Sequence, residues 1–183
     1  MERTVSNDVE TVLFDGYQIR ERCAQLAREI EKDYREAGEM PIVVGLLKGS
    51  VPFMAELIKF FRHPMEIDFM AVSSYSGTQS GGQIKINKDL DLPFEGKDVL
   101  IVEDIVDTGR TIAEVKKLLE RRGARSVKVV ALLNKADRRE VPIEADYIGF
   151  EIPDAFVVGY GLDFNQYYRN LPFIGVLKPE LYE

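Results

Sequence analysis

One stretch sets the architecture. Residues 98–134 read DVLIVED, then IVDTGR, then TIAEVKKLLERRG, then ARSVKVVALLN. The outer runs are β-branched and apolar, as in strands buried on both faces, and the segment between them carries Ile112, Val115, Leu118 and Leu119 at helical spacing. A strand, a short turn, a helix and a second strand join as a right-handed crossover between parallel strands. The start of the unit occurs a second time: PIVVGLL at 41–47 is a strand, Lys-Gly-Ser a turn and VPFMAELIKFF at 51–61 a helix. Upstream, the 17–37 segment YQIRERCAQLAREIEKDYREA puts Ile19, Cys23, Leu26, Ala27, Ile30 and Tyr34 on one helical face, and Gly38 supplies a stop. The expected fold is α/β, with a central, mainly parallel sheet flanked by helices on both faces.

MEIDFMAVSSY at 65–75 reads as a further strand, and SGTQSGGQ at 76–83 as a polar loop without packing residues. The last third, from DYIGFEIPDAF onward, offers short strands, aromatic residues and glycines but no long helix, and is expected to cap the core. At 183 residues and 45% hydrophobic content, a single domain spanning 1–183 is expected.

Composition narrows the chemistry. One cysteine, Cys23, excludes an internal disulfide, and one histidine, His63, leaves no easy route to a zinc cluster or a histidine-based triad. Carboxylates, lysines and arginines must then carry any reaction. A net charge of −7 works against broad nucleic-acid binding, so no nucleic-acid partner is expected. Neither a bilayer-spanning run nor a signal-peptide pattern is seen, and the expectation is a soluble, cytoplasmic protein with no membrane partner.

Ligands of open parallel sheets bind beyond the carboxyl ends of strands, where the next helix presents free N–H groups and a positive dipole end. Asp107, Thr108, Gly109, Arg110 and Thr111 lie at such a junction. Gly109 allows backbone to approach a phosphate closely, and the two threonines add hydroxyl donors. Glu103 and Asp104 would repel that phosphate unless they accept hydrogen bonds from sugar hydroxyls or face a divalent cation. A sugar phosphate with Mg²⁺ meets both conditions. Taken alone, the same residues also fit a helix cap flanked by solvated acids.

The neighbouring residues favour the first reading. VLIVEDIVDTGRT, residues 99–111, resembles almost position for position the phosphoribosyl-pyrophosphate (PRPP) signature of the type I phosphoribosyltransferase family. The resemblance covers roughly residues 10–180 and is strongest to the bacterial hypoxanthine-guanine branch. It implies a small hood over the base site, formed by about 153–183 with the N-terminal residues, and a dimer or tetramer of identical chains.

It also implies roles for individual residues. LLKGS resembles the pyrophosphate loop, with a cis Leu47-Lys48 peptide and with Lys48 and Gly49 as donors, joined by Arg169. Ser74 and Tyr75 stand at the characteristic positions of the flexible catalytic loop. Lys135 would donate to the 6-oxo group of a purine, Phe156 would stack on the base, and Val157 would offer backbone groups to its edge. Glu103 and Asp104 would bind ribose and Mg²⁺, Asp163 would bind Mg²⁺ through water near the purine, and Asp107 would act as general base on N7. The chain departs from many relatives at Gly81, where threonine is common, and at Ser50, where a second glycine is common. The substrates so implied are PRPP and a 6-oxopurine. Two competing readings stay open: a xanthine-preferring relative, and a PRPP-sensing regulator that contacts RNA through Lys116, Lys117, Arg121 and Arg122.

Overall fold

A computed structural model of the protein describes residues 5–74 and 84–182. Helix α1, Gly16–Ala37, starts where sequence chemistry sets it. The Asp15 side chain accepts from the Gln18 N–H at 2.8 Å, and Gln18 Oε1 accepts from the Asp15 N–H at 2.9 Å, a reciprocal capping box. It stops at Gly38, whose φ of 84° is a left-handed conformation that glycine adopts without steric cost. The six residues of its expected apolar face are all buried.

The main sheet has six strands in the order β4-β3-β2-β5-β6-β7. These are β2 (Ile42–Leu46), β3 (Ile67–Ser74), β4 (Ile84–Lys88), β5 (Asp98–Val106), β6 (Ser126–Asn134) and β7 (Tyr147–Glu151). All neighbours are parallel except β4, which runs antiparallel to β3. Alternate residues of β5 feed opposite cores. Leu100 and Val102 pack with α1 and with α2 (Val51–Leu57), whereas Val99 and Ile101 pack with Ile112, Val115 and Leu119 of α3 (Arg110–Arg121). Burial on both faces is why this strand shows no polar alternation before its acids.

A second sheet of three strands, β1-β9-β8, joins Val9–Phe14 and Ile174–Leu177 to Val157–Val158 and forms the hood. Its own small core contains Val158, Tyr168, Leu171 and Leu177.

Three expectations need correction. Helix α2 ends at Leu57 rather than continuing to residue 61, and a 3-10 turn takes over. Glu31 on α1 accepts from the backbone N–H groups of Arg62 at 2.6 Å and His63 at 3.1 Å, which draws the chain off the helical path. Strand β5 runs to Val106, two residues past its expected end, because Ile105 and Val106 still pair with Leu133 and Asn134 on β6. Tyr147–Glu151, expected in the cap, is the outer parallel strand of the main sheet. The expected loop at 76–83 and Tyr75 lie outside the described residues, while Ser74 ends β3 opposite Ile84. No helix among the described residues is long and apolar enough to cross a membrane.

Candidate active site

The carboxyl ends of β5 and β6 open toward one region, and the hood stands beside it. At the end of β5, residues 107–109 turn the chain into α3, with Gly109 at φ 80° as its N-cap. A β-carbon at Gly109 would fall 2.6 Å from Ile143 Cγ2, so only glycine lets this turn pack on the 139–143 segment. Asp107, Thr108, Gly109 and Thr111 line a cavity of ≈ 150 Å³ together with Glu103. Arg110, at the same turn, is exposed and ion-paired with Glu140.

Glu103 and Asp104 are half-buried residues with inward carboxyl groups. Glu103 Oε2 has no hydrogen-bond partner, and Asp104 Oδ1 accepts from the Ile105 N–H at 2.8 Å. Burial pushes the Glu103 carboxyl well above the usual carboxylate range, and the charge of Asp104 adds to the effect. Burial raises Asp104 too, opposed by a hydrogen bond with Glu103, the Ile105 N–H and the charge of Arg169.

Across from them, the Leu47-Lys48 peptide is cis. Gly49 lies directly against Asp104, since a β-carbon there would fall 1.7 Å from Asp104 Oδ2. Gly161, at φ 102°, closes on the other side, where a β-carbon would fall 1.9 Å from the Gly49 carbonyl oxygen. The Arg169 guanidinium donates to the Gly161 carbonyl at 2.6 Å and to Gln166 Oε1 at 3.2 Å, and it pairs with Asp163 at 2.9 Å. Lys48 Nζ reaches the same Gln166 oxygen at 3.3 Å. Lys48, Gly49 and Arg169, the residues expected to bind pyrophosphate, are therefore brought together with Asp104.

Among the residues expected to bind the purine, Lys135 follows β6 and is 7% exposed, with its ammonium 3.7 Å from Asp154 Oδ1. Arg138 lies between Asp154, at 3.5 Å, and Asp107, whose Oδ1 it approaches at 3.3 Å. Phe156 keeps 38% exposure and stacks on Tyr182 with ring centroids 4.8 Å apart. Val157 is buried in β8 opposite Val176. Sequence reasoning missed Gln166, Asp154, Arg138, Arg139 and Tyr182, all of which gain their place from long-range contacts; the doubled Arg138-Arg139 close behind Lys135 was the one local signal.

Five buried side-chain polar atoms among the described residues lack a hydrogen-bond partner. Ser50 Oγ, Glu103 Oε2, Asp107 Oδ1 and Arg169 Nε, four of the five, belong to this region. Buried polar atoms are rarely left without a hydrogen bond, so the convergence of these four suits a polar ligand. Glu103 and Asp104 also suit a hard divalent cation, because its charge would offset the cost that burial puts on their ionised forms. No group of three or more metal-type donors occurs among the described residues, so oxygens of water or of the substrate would complete such a shell.

The turn after β5, the Gly49 loop against Asp104 and the buried lysine that follows β6 lie at the carboxyl ends of the strands, where open parallel sheets bind their ligands. The family model described as "Phosphoribosyl transferase domain" matches residues 13–165, and the chain belongs to that family. It is 49% identical over 180 residues to the hypoxanthine-guanine phosphoribosyltransferase of Bacillus subtilis, covering 98% of this chain and 99% of that one. It is 51% identical to the bifunctional protein TilS/HprT of Listeria innocua, of whose length it spans only 28%. Among solved structures, a hypoxanthine phosphoribosyltransferase from Staphylococcus aureus superposes with a TM-score of 0.92 at 47% identity, covering 100% of this chain and 99% of that one.

Proposed function

We propose that this protein is a purine salvage enzyme that transfers the 5-phosphoribosyl group of PRPP to N9 of hypoxanthine or guanine. The C1–O bond to pyrophosphate breaks, the C1–N9 bond forms, and the products are IMP or GMP and pyrophosphate. The observation that carries this reading is the convergence of buried polar atoms without hydrogen-bond partners on the PRPP-signature strand end and the Lys48-Gly49 loop.

The residues divide the work as follows. The 107–111 turn holds the 5′-phosphate through backbone N–H groups and the hydroxyls of Thr108 and Thr111. Lys48, Gly49 and Arg169 hold pyrophosphate and absorb charge as it leaves. Lys135 donates to the purine 6-oxo group, which adenine lacks, while Phe156 and the Val157 backbone hold the ring and its edge. Asp107 takes the proton from N7 as the new bond forms. Glu103 and Asp104 would hold Mg²⁺ with the ribose hydroxyls, and the ion supplies charge neutralisation of pyrophosphate when bound. Asp163, paired with Arg169, orients that arginine and is the candidate for a water-mediated metal contact.

A cytoplasmic location, a single domain and a homo-oligomer complete the proposal. The RNA-contacting alternative is weakened because Lys117 pairs with Glu114 and Arg122 with Asp89, which neutralises half of its basic patch. The assignment is tested by incubating the purified chain with PRPP, Mg²⁺ and hypoxanthine. Equal amounts of IMP and pyrophosphate support it, and unconsumed PRPP overturns it.

A further inference from the structure

Arg139 has no role assigned above, yet it lies directly behind the Asp107–Gly109 turn. Its side chain is only 10% exposed, yet it carries a full charge into the junction of three strand ends. Nη1 donates to the Val106 carbonyl at 3.1 Å and to the Asp107 carbonyl. Nη2 donates to Asn134 Oδ1 and pairs with Glu144 at 3.3 Å. Asn134, itself 2% exposed, turns its amide to both carboxylate oxygens of Glu151 at 3.0 Å. One guanidinium thus joins the end of β5, the end of β6 and, through Asn134, the end of β7.

These are the points from which both halves of the site project. Asp107, the proposed base, begins the phosphate turn, and its backbone carbonyl is one of the groups held. Asn134 immediately precedes Lys135, whose own N–H donates to the Val106 carbonyl at 3.0 Å. The phosphate turn rests on the same side chain, since a β-carbon at Gly109 would come within 3.0 Å of Arg139 Cδ. Past the last strand pairing, the Asp107 carbonyl has no ladder partner, and Arg139 takes that place. A lysine could not do so while also reaching Asn134, because it offers one point charge in place of a planar fork.

We infer that Arg139 is a positioning residue: it fixes the backbone that aims the Asp107 carboxylate and, through Asn134, sets it relative to Lys135. This rests on the functional reading above. Misplacing a reacting group by about 1 Å can cost as much as 10²-fold in rate, so a loosened junction acts on turnover before it acts on substrate affinity.

The test compares the intact wild type with Arg139→Lys, Asn134→Leu and the double variant, measuring kcat, KM for PRPP, KM for hypoxanthine and Tm, with rates taken well below each Tm. The expected result is a fall in kcat of roughly tenfold or more for Arg139→Lys with a smaller rise in KM for PRPP. Asn134→Leu should lose less, and the double variant should be no worse than Arg139→Lys, since both changes break one linkage. A lowered Tm with wild-type kcat would make Arg139 merely structural and overturn the inference, as would losses that multiply in the double variant. An inactive wild type would sink the functional reading itself, whereas an active wild type matched by Arg139→Lys would sink this inference alone.

Discussion

The carboxylate of Asp104 occupies the space that a side chain at position 49 would need: a β-carbon on Gly49 would fall 1.7 Å from Asp104 Oδ2. The proposed pyrophosphate loop and Asp104, one of the proposed metal and ribose acids, are therefore in direct van der Waals contact. Gly49→Ala must displace either the loop or the acid. The expected outcome is a loss of kcat/KM for PRPP of roughly 10²-fold. Steady-state kinetics with PRPP as the varied substrate check this, and wild-type values would remove the contact from the account.

Glu103 gives a prediction with opposite signs for stability and function. Burial raises its folded-state pKa, so between the unfolded value of about 4.3 and that raised value the folded protein binds more protons than the unfolded chain. Stability of the metal-free protein therefore falls as pH rises through that window. Glu103→Gln removes the titration, and its Tm should exceed that of the wild type at pH 7 and fall less steeply with pH, while Mg²⁺-dependent PRPP binding weakens. A lower Tm than the wild type at pH 7 would show that the ionised carboxyl is not under strain.

Gly109 concentrates the backbone demands of the proposed phosphate turn. Its φ of 80° is unfavourable for any residue with a β-carbon, and that carbon would also meet Ile143. Gly109→Ala should cost about 1–2 kcal/mol from the left-handed conformation alone. At this chain length that is about 2–8 °C in Tm by calorimetry. Loss of affinity for the 5′-phosphate should accompany it, and an unshifted Tm would contradict the turn as described.

Lys135 is buried, and its ammonium has Asp154 as an ion-pair partner at 3.7 Å, a distance that leaves its donors available to a ligand. Lys135→Ala should raise KM for hypoxanthine about 10- to 150-fold, since a charged hydrogen bond of about 1.5–3 kcal/mol is removed. Discrimination against adenine should shrink in the same variant. Unaltered discrimination in competition assays would assign the 6-oxo contact to another group.

Much of this arrangement was legible where the controlling interactions are local. The apolar run into Glu103 and Asp104, Gly109 at the turn and the 3.6-residue spacing of α1 all express their geometry within a few residues. What stayed hidden depends on distant partners. Helix α2 is shortened by Glu31, which lies about 30 residues upstream of the N–H groups it captures. Tyr147–Glu151 reads as one more short strand until β6 offers it a parallel edge. Tyr182 has no local mark, yet it supports the ring of Phe156. Arg139 looks like a surface residue in the run Asp-Arg-Arg-Glu, and only the strand ends that it joins show its burial.

The central claim is that the site joins a 6-oxopurine to PRPP with metal assistance. The most direct measurement is an ultraviolet assay of the purified protein with PRPP and Mg²⁺, offering hypoxanthine, guanine, xanthine and adenine separately and repeating each with the metal chelated. The account predicts turnover of hypoxanthine or guanine that is lost on chelation, with adenine inert. A preference for xanthine would change the assigned base, and the absence of turnover with all four bases would contradict the account.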